Sequence, residues 1–227
     1  PLIEGMEVAG ETMGLMAPDM PGHGGSGPWD AEAAPEYQRL VTQVAAHFVK
    51  QPLDIIGHSM GAVAAMRLAV AYPEAVRTLT LIEPVLFAAL PEGESRAHLA
   101  ASQETFEALI AAGDYETAAQ RFYGRWGGGP AWGDLPAHRR EAFAAQMPIA
   151  AAVSRANGTD PGNILREGGL EAIEAPVMAI LGEESPAIVH EAFAAISERF
   201  GDLGTAVVPQ AGHMLPLTHP LALRTIL

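Results

Sequence analysis

Apolar residues set a helix–strand–helix–strand rhythm in the first third of the chain. Tyr37, Leu40, Val41, Val44, Ala45 and Phe48 recur every three or four residues, which predicts a helix over 34–50, broken by Gln51-Pro52. Leu53-Asp54-Ile55-Ile56 then reads as a short buried strand. After a Gly-rich turn, Met66, Leu68, Ala69 and Tyr72 fall at helical spacing, and Pro73 closes that helix. Val76 to Ile82 is rich in β-branched residues and leucine, so it reads as the next strand, ended by Glu83-Pro84. Strands joined by crossover helices in this way lie parallel. Upstream, Leu2, Ile3, Met6 and Val8 suggest a helical end within 1–11, and Met13 to Asp19 reads as a further short buried strand.

The rhythm stops between about Pro91 and Arg166. Glu104–Ala112, Tyr115–Tyr123 and Pro136–Met147 have helical patterns separated by Gly-rich turns, with no strand among them. Alternation resumes with a strand over Ala175–Leu181, a helix over Ile188–Phe200, a last strand over Gly204–Val208 and a closing helix from Pro220. The expectation is one α/β core, residues 1–90 and 167–227, interrupted by an all-helical segment, 91–166.

Composition narrows the function classes. The net charge is -14 and Lys50 is the only lysine, so no basic patch exists to attract a phosphate backbone and nucleic acid is not an expected partner. The chain has no cysteine, which excludes disulfides, thiolate metal sites and a cysteine nucleophile. No apolar run reaches membrane-spanning length and residues 1–11 lack a signal-peptide pattern, so no membrane partner is expected and the cytoplasm is the default location. The alanine and arginine bias has a bacterial look.

Candidate chemistry concentrates at Gly57-His58-Ser59-Met60-Gly61. Between a strand and a helix, Gly-x-Ser-x-Gly makes a strained turn with the serine at its apex, and β-carbons at the two glycines would crowd the adjoining elements. The amide of Met60, at a helix N-terminus, faces the place where an oxyanion would form. In this context the motif resembles the nucleophile elbow of the α/β-hydrolase family. Asp19-Met20-Pro21-Gly22-His23-Gly24 also matches the family's loop after its fourth strand, where Asp19 and His23 are expected to hydrogen-bond neighbouring backbone.

The resemblance implies a mostly parallel α/β-hydrolase sheet with flanking helices, and the all-helical insertion is similar to the cap many members carry over the active site. It implies Ser59 as nucleophile and His213, in the Gly212-His213 turn after the last strand, as its base. The acid stays open. Many members place an aspartate after the strand corresponding to Val177–Leu181, but Ser185 stands there, inside Gly182-Glu183-Glu184-Ser185-Pro186. Glu83, at the end of the strand after the nucleophile, is preferred, with Glu184 or Glu183 as alternatives. His58, Trp126 and Trp132 are candidate pocket residues, though the tryptophans would equally anchor the insertion to the core.

A serine at the apex argues for a small acyl substrate (an ester, lactone, thioester or carbon–carbon bond next to a carbonyl) and implies neither a metal nor an organic cofactor. Family members begin with further strands, including one ending in a His-Gly loop that supplies a second oxyanion donor, and nothing upstream of Met13 resembles it. The expectation is therefore a native segment upstream of residue 1, and a slot between Leu15–Ala17 and Leu53–Ile56. The competing reading is a non-catalytic scaffold that binds a ligand or partner in the same pocket.

Overall fold

The computed structural model describes residues 14–30 and 36–227. The expected helical end within 1–11 and the start of the helix over 34–50 lie outside them. The core is a sheet of four parallel strands, β1 (Leu53–His58), β2 (Val76–Ile82), β3 (Val177–Gly182) and β4 (Leu203–Val208), in the spatial order 1-2-3-4. A parallel sheet must bury both faces, and the side chains divide accordingly. Leu79 and Leu81 of β2 and Val177, Ala179 and Leu181 of β3 join the larger apolar cluster on one face. Ile82 and Ile180 point the other way, with Val208, Leu215 and Leu223.

Among the described residues seven helices accompany the strands, six of them at places the sequence predicts, and two short ones follow the last strand. α1 (Tyr37–Phe48) packs on α2 (Met60–Ala71) through Tyr37, Val41 and Ala64. The Glu36 carboxylate caps α1 by accepting from the amides of Gln38 and Arg39, and it pairs with Arg67 of α2 at 2.9 Å. Between β2 and β3 lie α3 (Glu94–Ala111), α4 (Tyr115–Trp126), α5 (Ala137–Ala145) and α6 (Met147–Thr159). α7 (Ala187–Ser197) links β3 to β4, and α8 (Leu215–Thr218) and α9 (Pro220–Ile226) follow β4.

Three expectations need correction. α3 begins ten residues before the predicted Glu104, because its first ten residues, Glu94–Gln103, hold one large apolar side chain, Leu99, and so show no stripe to read. α6 is absent from the sequence reading. Its Pro148 resembles a break, yet it sits in the first helical turn, where a missing N–H costs nothing. The strand expected over Met13–Asp19 is not one in its described part. Residues 14–20 form no ladder with β1, and a cavity of about 540 Å³ lies between Met16, Ala17 and Pro18 on one side and Leu53–Gly61 on the other. An extended segment becomes a strand only when a neighbour takes up its backbone groups.

The next loop behaves as its residues suggest. Asp19 accepts from the Gly25 amide at 2.8 Å, and the His23 ring contacts the Pro21 carbonyl at 3.2 Å. The Tyr37 hydroxyl donates to that same carbonyl at 2.9 Å, fastening the loop to α1.

The two elbow glycines differ. A β-carbon on Gly57 would collide with the Gly61 carbonyl and come within 2.6 Å of Ala62, whereas Gly61 has open space and borders the cavity beside β1, so the expected crowding holds only at the first. Gly57→Ala should lower the unfolding free energy by about 1–3 kcal/mol, the usual cost of overpacking. Gly61→Ala should change it by less than about 1 kcal/mol, since a helix position favours alanine over glycine. Urea denaturation of both variants checks the ranking.

Candidate active site

Sheet register brings Ser59 and Glu83 side by side. His58 pairs with Ile82 across β1 and β2, and each is followed by one of these two residues. The ladder runs one step further, with the Ser59 amide donating to Ile82 at 2.9 Å and the Glu83 amide donating to Ile180 at 2.9 Å. Both residues have positive φ, 56° at Ser59 and 51° at Glu83. Non-glycine residues hold that conformation at a cost that the surrounding structure must impose. Here it turns both side chains toward the loop after β4.

That loop carries His213, which is 7% exposed. Its Nδ1 lies 3.0 Å from Glu83 Oε2 and its Nε2 lies 2.9 Å from Ser59 Oγ. A carboxylate only accepts, so Nδ1 carries the proton and Nε2 presents its lone pair to the serine hydroxyl. The other Glu83 oxygen, Oε1, accepts from the Gly182 amide at 2.6 Å. Burial pushes the Glu83 carboxyl up, but the hydrogen bonds from His213, the Gly182 amide and Ser185, with the attraction of His213, together hold it below the usual carboxylate range. The buried Ser185 hydroxyl has no closely aligned partner of its own, yet it lies near enough to this carboxylate to add to that pull.

Gly182 makes the approach possible. A β-carbon there would overlap the Ala211 carbonyl, so the strand end and the His213 loop meet only because the position is glycine. The sequence reading missed this amide. Its signal was available in the glycine that ends β3.

The alternative acids lie elsewhere. Glu183 and Glu184 are both exposed, and the Glu183 carboxylate accepts from the Gln210 amide at 3.0 Å. Trp132 packs within the helical insertion against Tyr123 and Phe143. Trp126, at the end of α4, reaches the site. Its ring centroid is 4.8 Å from that of His213, and it stacks on Phe87 of the core at 6.1 Å.

His58 lines the cavity beside β1, but its ring also braces the His213 loop. Its Nε2 donates to the His213 carbonyl at 2.8 Å, and the two imidazoles lie 5.2 Å apart. Burial, the largest cause, together with the charge of His213 pushes its pKa down to about 4, against the opposing pull of that hydrogen bond and of Glu83. His58 is therefore neutral beside His213 at physiological pH. Among the described residues no group of histidine, aspartate and glutamate is arranged to hold a metal ion, and no helix is long and apolar enough to cross a membrane.

Comparison with known proteins agrees with this architecture. Residues 7–225 match the family model of the alpha/beta hydrolase family, and the chain belongs to that family. A 120-residue stretch is 36% identical to the lipase LipV of Mycobacterium tuberculosis, covering 49% of this chain and 41% of the lipase. The chain thus matches about two fifths of that curated relative's length. A hydrolase from Pseudomonas aeruginosa superposes with a TM-score of 0.65 at 20% identity, over 91% of this chain and 75% of that one. A thermophilic esterase does so with a TM-score of 0.60 at 19% identity, over 92% and 76%. At such identities the two structures speak for the fold alone.

The depressed pKa of His58 has a consequence for stability. The folded chain takes up this proton only near pH 4, whereas the unfolded chain does so near the ordinary 6.5. The stabilisation is complete above pH 6.5 and is lost as the pH falls from 6.5 to about 4, by about 2–4 kcal/mol. His58→Gln, which keeps a donor but cannot titrate, should flatten the stability curve over that window, measured by urea unfolding at pH 7, 5.5 and 4.5.

Proposed function

We propose that the chain is a serine hydrolase that cleaves an ester, lactone, thioester or carbon–carbon bond next to a carbonyl through an acyl-enzyme on Ser59. The observation that carries the reading is the unbroken chain of hydrogen bonds from Ser59 Oγ through His213 to Glu83. His213 Nε2 takes the hydroxyl proton as Ser59 attacks the carbonyl carbon, then returns it to the leaving group. Glu83 fixes the tautomer and stabilises the imidazolium. The Met60 amide, at the start of α2, donates to the oxyanion. Water then attacks the acyl-enzyme with His213 again as base. In this reading the helices between β2 and β3 form a cap over the site, with Trp126 as its contact to His213. The printed names of the lipase and the esterase above favour the same class of reaction.

A ligand-binding scaffold without turnover remains a second reading, favoured by the cavity rather than a strand beside β1 among the described residues. It predicts saturable binding of acyl compounds by a chain inert to serine-directed reagents. Under the hydrolase reading a fluorophosphonate probe labels the chain and fails to label Ser59→Ala. Labelling that survives this substitution removes Ser59 from the mechanism. Glu83→Gln should lower turnover of a p-nitrophenyl ester on the order of 10³–10⁴-fold, as when the orienting carboxylate is lost in serine proteases, with Glu184→Gln within about twofold of wild type. Equal losses from the two substitutions would remove Glu83 from this role.

A further inference from the structure

The helical insertion lines an open cleft of about 440 Å³, bounded on the core side by Phe87. Phe106 and Trp126 contribute apolar wall, while Arg121 and Arg125 of α4 bring two positive charges. Among the described residues no aspartate or glutamate lines it. In a chain of net charge -14 that is an unusual local balance.

Arg125 is the informative residue. Its guanidinium lies 4.9 Å from the centre of the Trp126 ring, and its Nη1 donates to the Ser102 hydroxyl at 3.3 Å. Ser102 is its one side-chain acceptor among the described residues, which leaves most of the five guanidinium donors unmatched. Two other arginines that are largely shielded from solvent do meet carboxylates, Arg67 at Glu36 and Arg199 at Glu171. Glu94 and Glu191 line an adjoining recess that Arg125 also borders, yet neither forms an ion pair with it. Desolvation lowers the Arg125 pKa without making it lose its charge. A half-buried guanidinium with no anion, facing a cleft, is a site that a ligand carboxylate would complete. Trp126 links this charge to the chemistry, since the same indole touches both Arg125 and His213.

We propose that this cleft holds the free carboxylate of a substrate whose other end is the scissile acyl group, so that the enzyme acts on monoesters or monothioesters of dicarboxylic acids. The inference rests on the hydrolase reading and specifies its substrate. Arg125 binds the anionic end in bidentate fashion, Arg121 adds charge at the cleft wall, and the aromatic side chains cover the methylene chain between. Ser59 Oγ forms the new bond to the ester carbonyl carbon. The bond from that carbon to the alcohol or thiol breaks, the leaving group departs with the proton held by His213, and water releases the diacid.

The test compares monomethyl adipate and monomethyl suberate with methyl hexanoate and methyl octanoate, following acid release at constant pH. Wild type should show the higher kcat/KM on the monoesters. Arg125→Gln should lose about 10- to 100-fold more kcat/KM on them than on the neutral esters, mainly through KM, and Arg125→Lys should recover part of the difference. Equal losses on both substrate classes, or a wild-type preference for the neutral esters, overturns the proposal. Binding of adipate, followed by calorimetry, gives a readout without turnover. Binding weakened tenfold or more in Arg125→Gln supports the anion site even where no ester is cleaved, a result that would count against the hydrolase reading alone. Adipate binding indifferent to Arg125 refutes the site.

Discussion

The site depends on the alignment of β1 with β2. Pairing of His58 with Ile82 sets Ser59 and Glu83 at the same level of the sheet, each one step beyond its strand and each in left-handed backbone. A slip by one residue would turn every side chain of β1 to the opposite face and carry Ser59 away from the loop after β4. The apolar alternation guards against it, because Leu79 and Leu81 belong to one core cluster and Ile82 to the other. Burial of those side chains, worth about 1.5–3 kcal/mol each, is what holds the two strained turns in place. A functional arrangement is thus enforced by residues that take no part in chemistry.

Much of this was legible in the sequence, and the exceptions have physical causes. Val76–Ile82 has the predicted bounds, since it is rich in β-branched residues and leucine and Pro73 and Pro84 lie close to its two ends. Strand and helix around Ser59 were readable from local pattern for the same reason. The insertion was harder. The first ten residues of α3 hold a single large apolar side chain and offer no periodicity, and α6 hides its start behind Pro148. At the site, Glu83 and Glu184 were both reasonable from spacing alone. Their difference is in burial, 0% exposure for the first and open solvent for the second, and burial is a property of the assembled sheet. His58 was read as a pocket residue because nothing local shows that its ring reaches the carbonyl of a residue 155 positions away.

Charge economy runs through the same region. Glu83 is fully buried and stays below the usual carboxylate range because His213 and a backbone amide donate to it with Ser185 close by, and Gly182 can bring that amide in only by lacking a side chain. His58 is kept neutral next to an imidazole whose Nδ1 proton faces Glu83. A second positive charge there would weaken the attraction between Glu83 and a protonated His213. The environment thus permits one cation and one anion, in contact, within a low-dielectric pocket.

Placing the carboxylate on β2 also bears on how the chain assembles. Ser59 and Glu83 belong to one β–α–β unit, whose strands pair across a short crossover, whereas His213 lies 154 positions from Ser59 and 130 from Glu83. Contacts between nearby segments need little loop closure, and distant ones form later. A growing chain can therefore order the elbow and the carboxylate while the carboxylate still faces water. The last strand and its loop then close over a charge that is already in position, bringing the histidine in as the piece that completes both the core and the site.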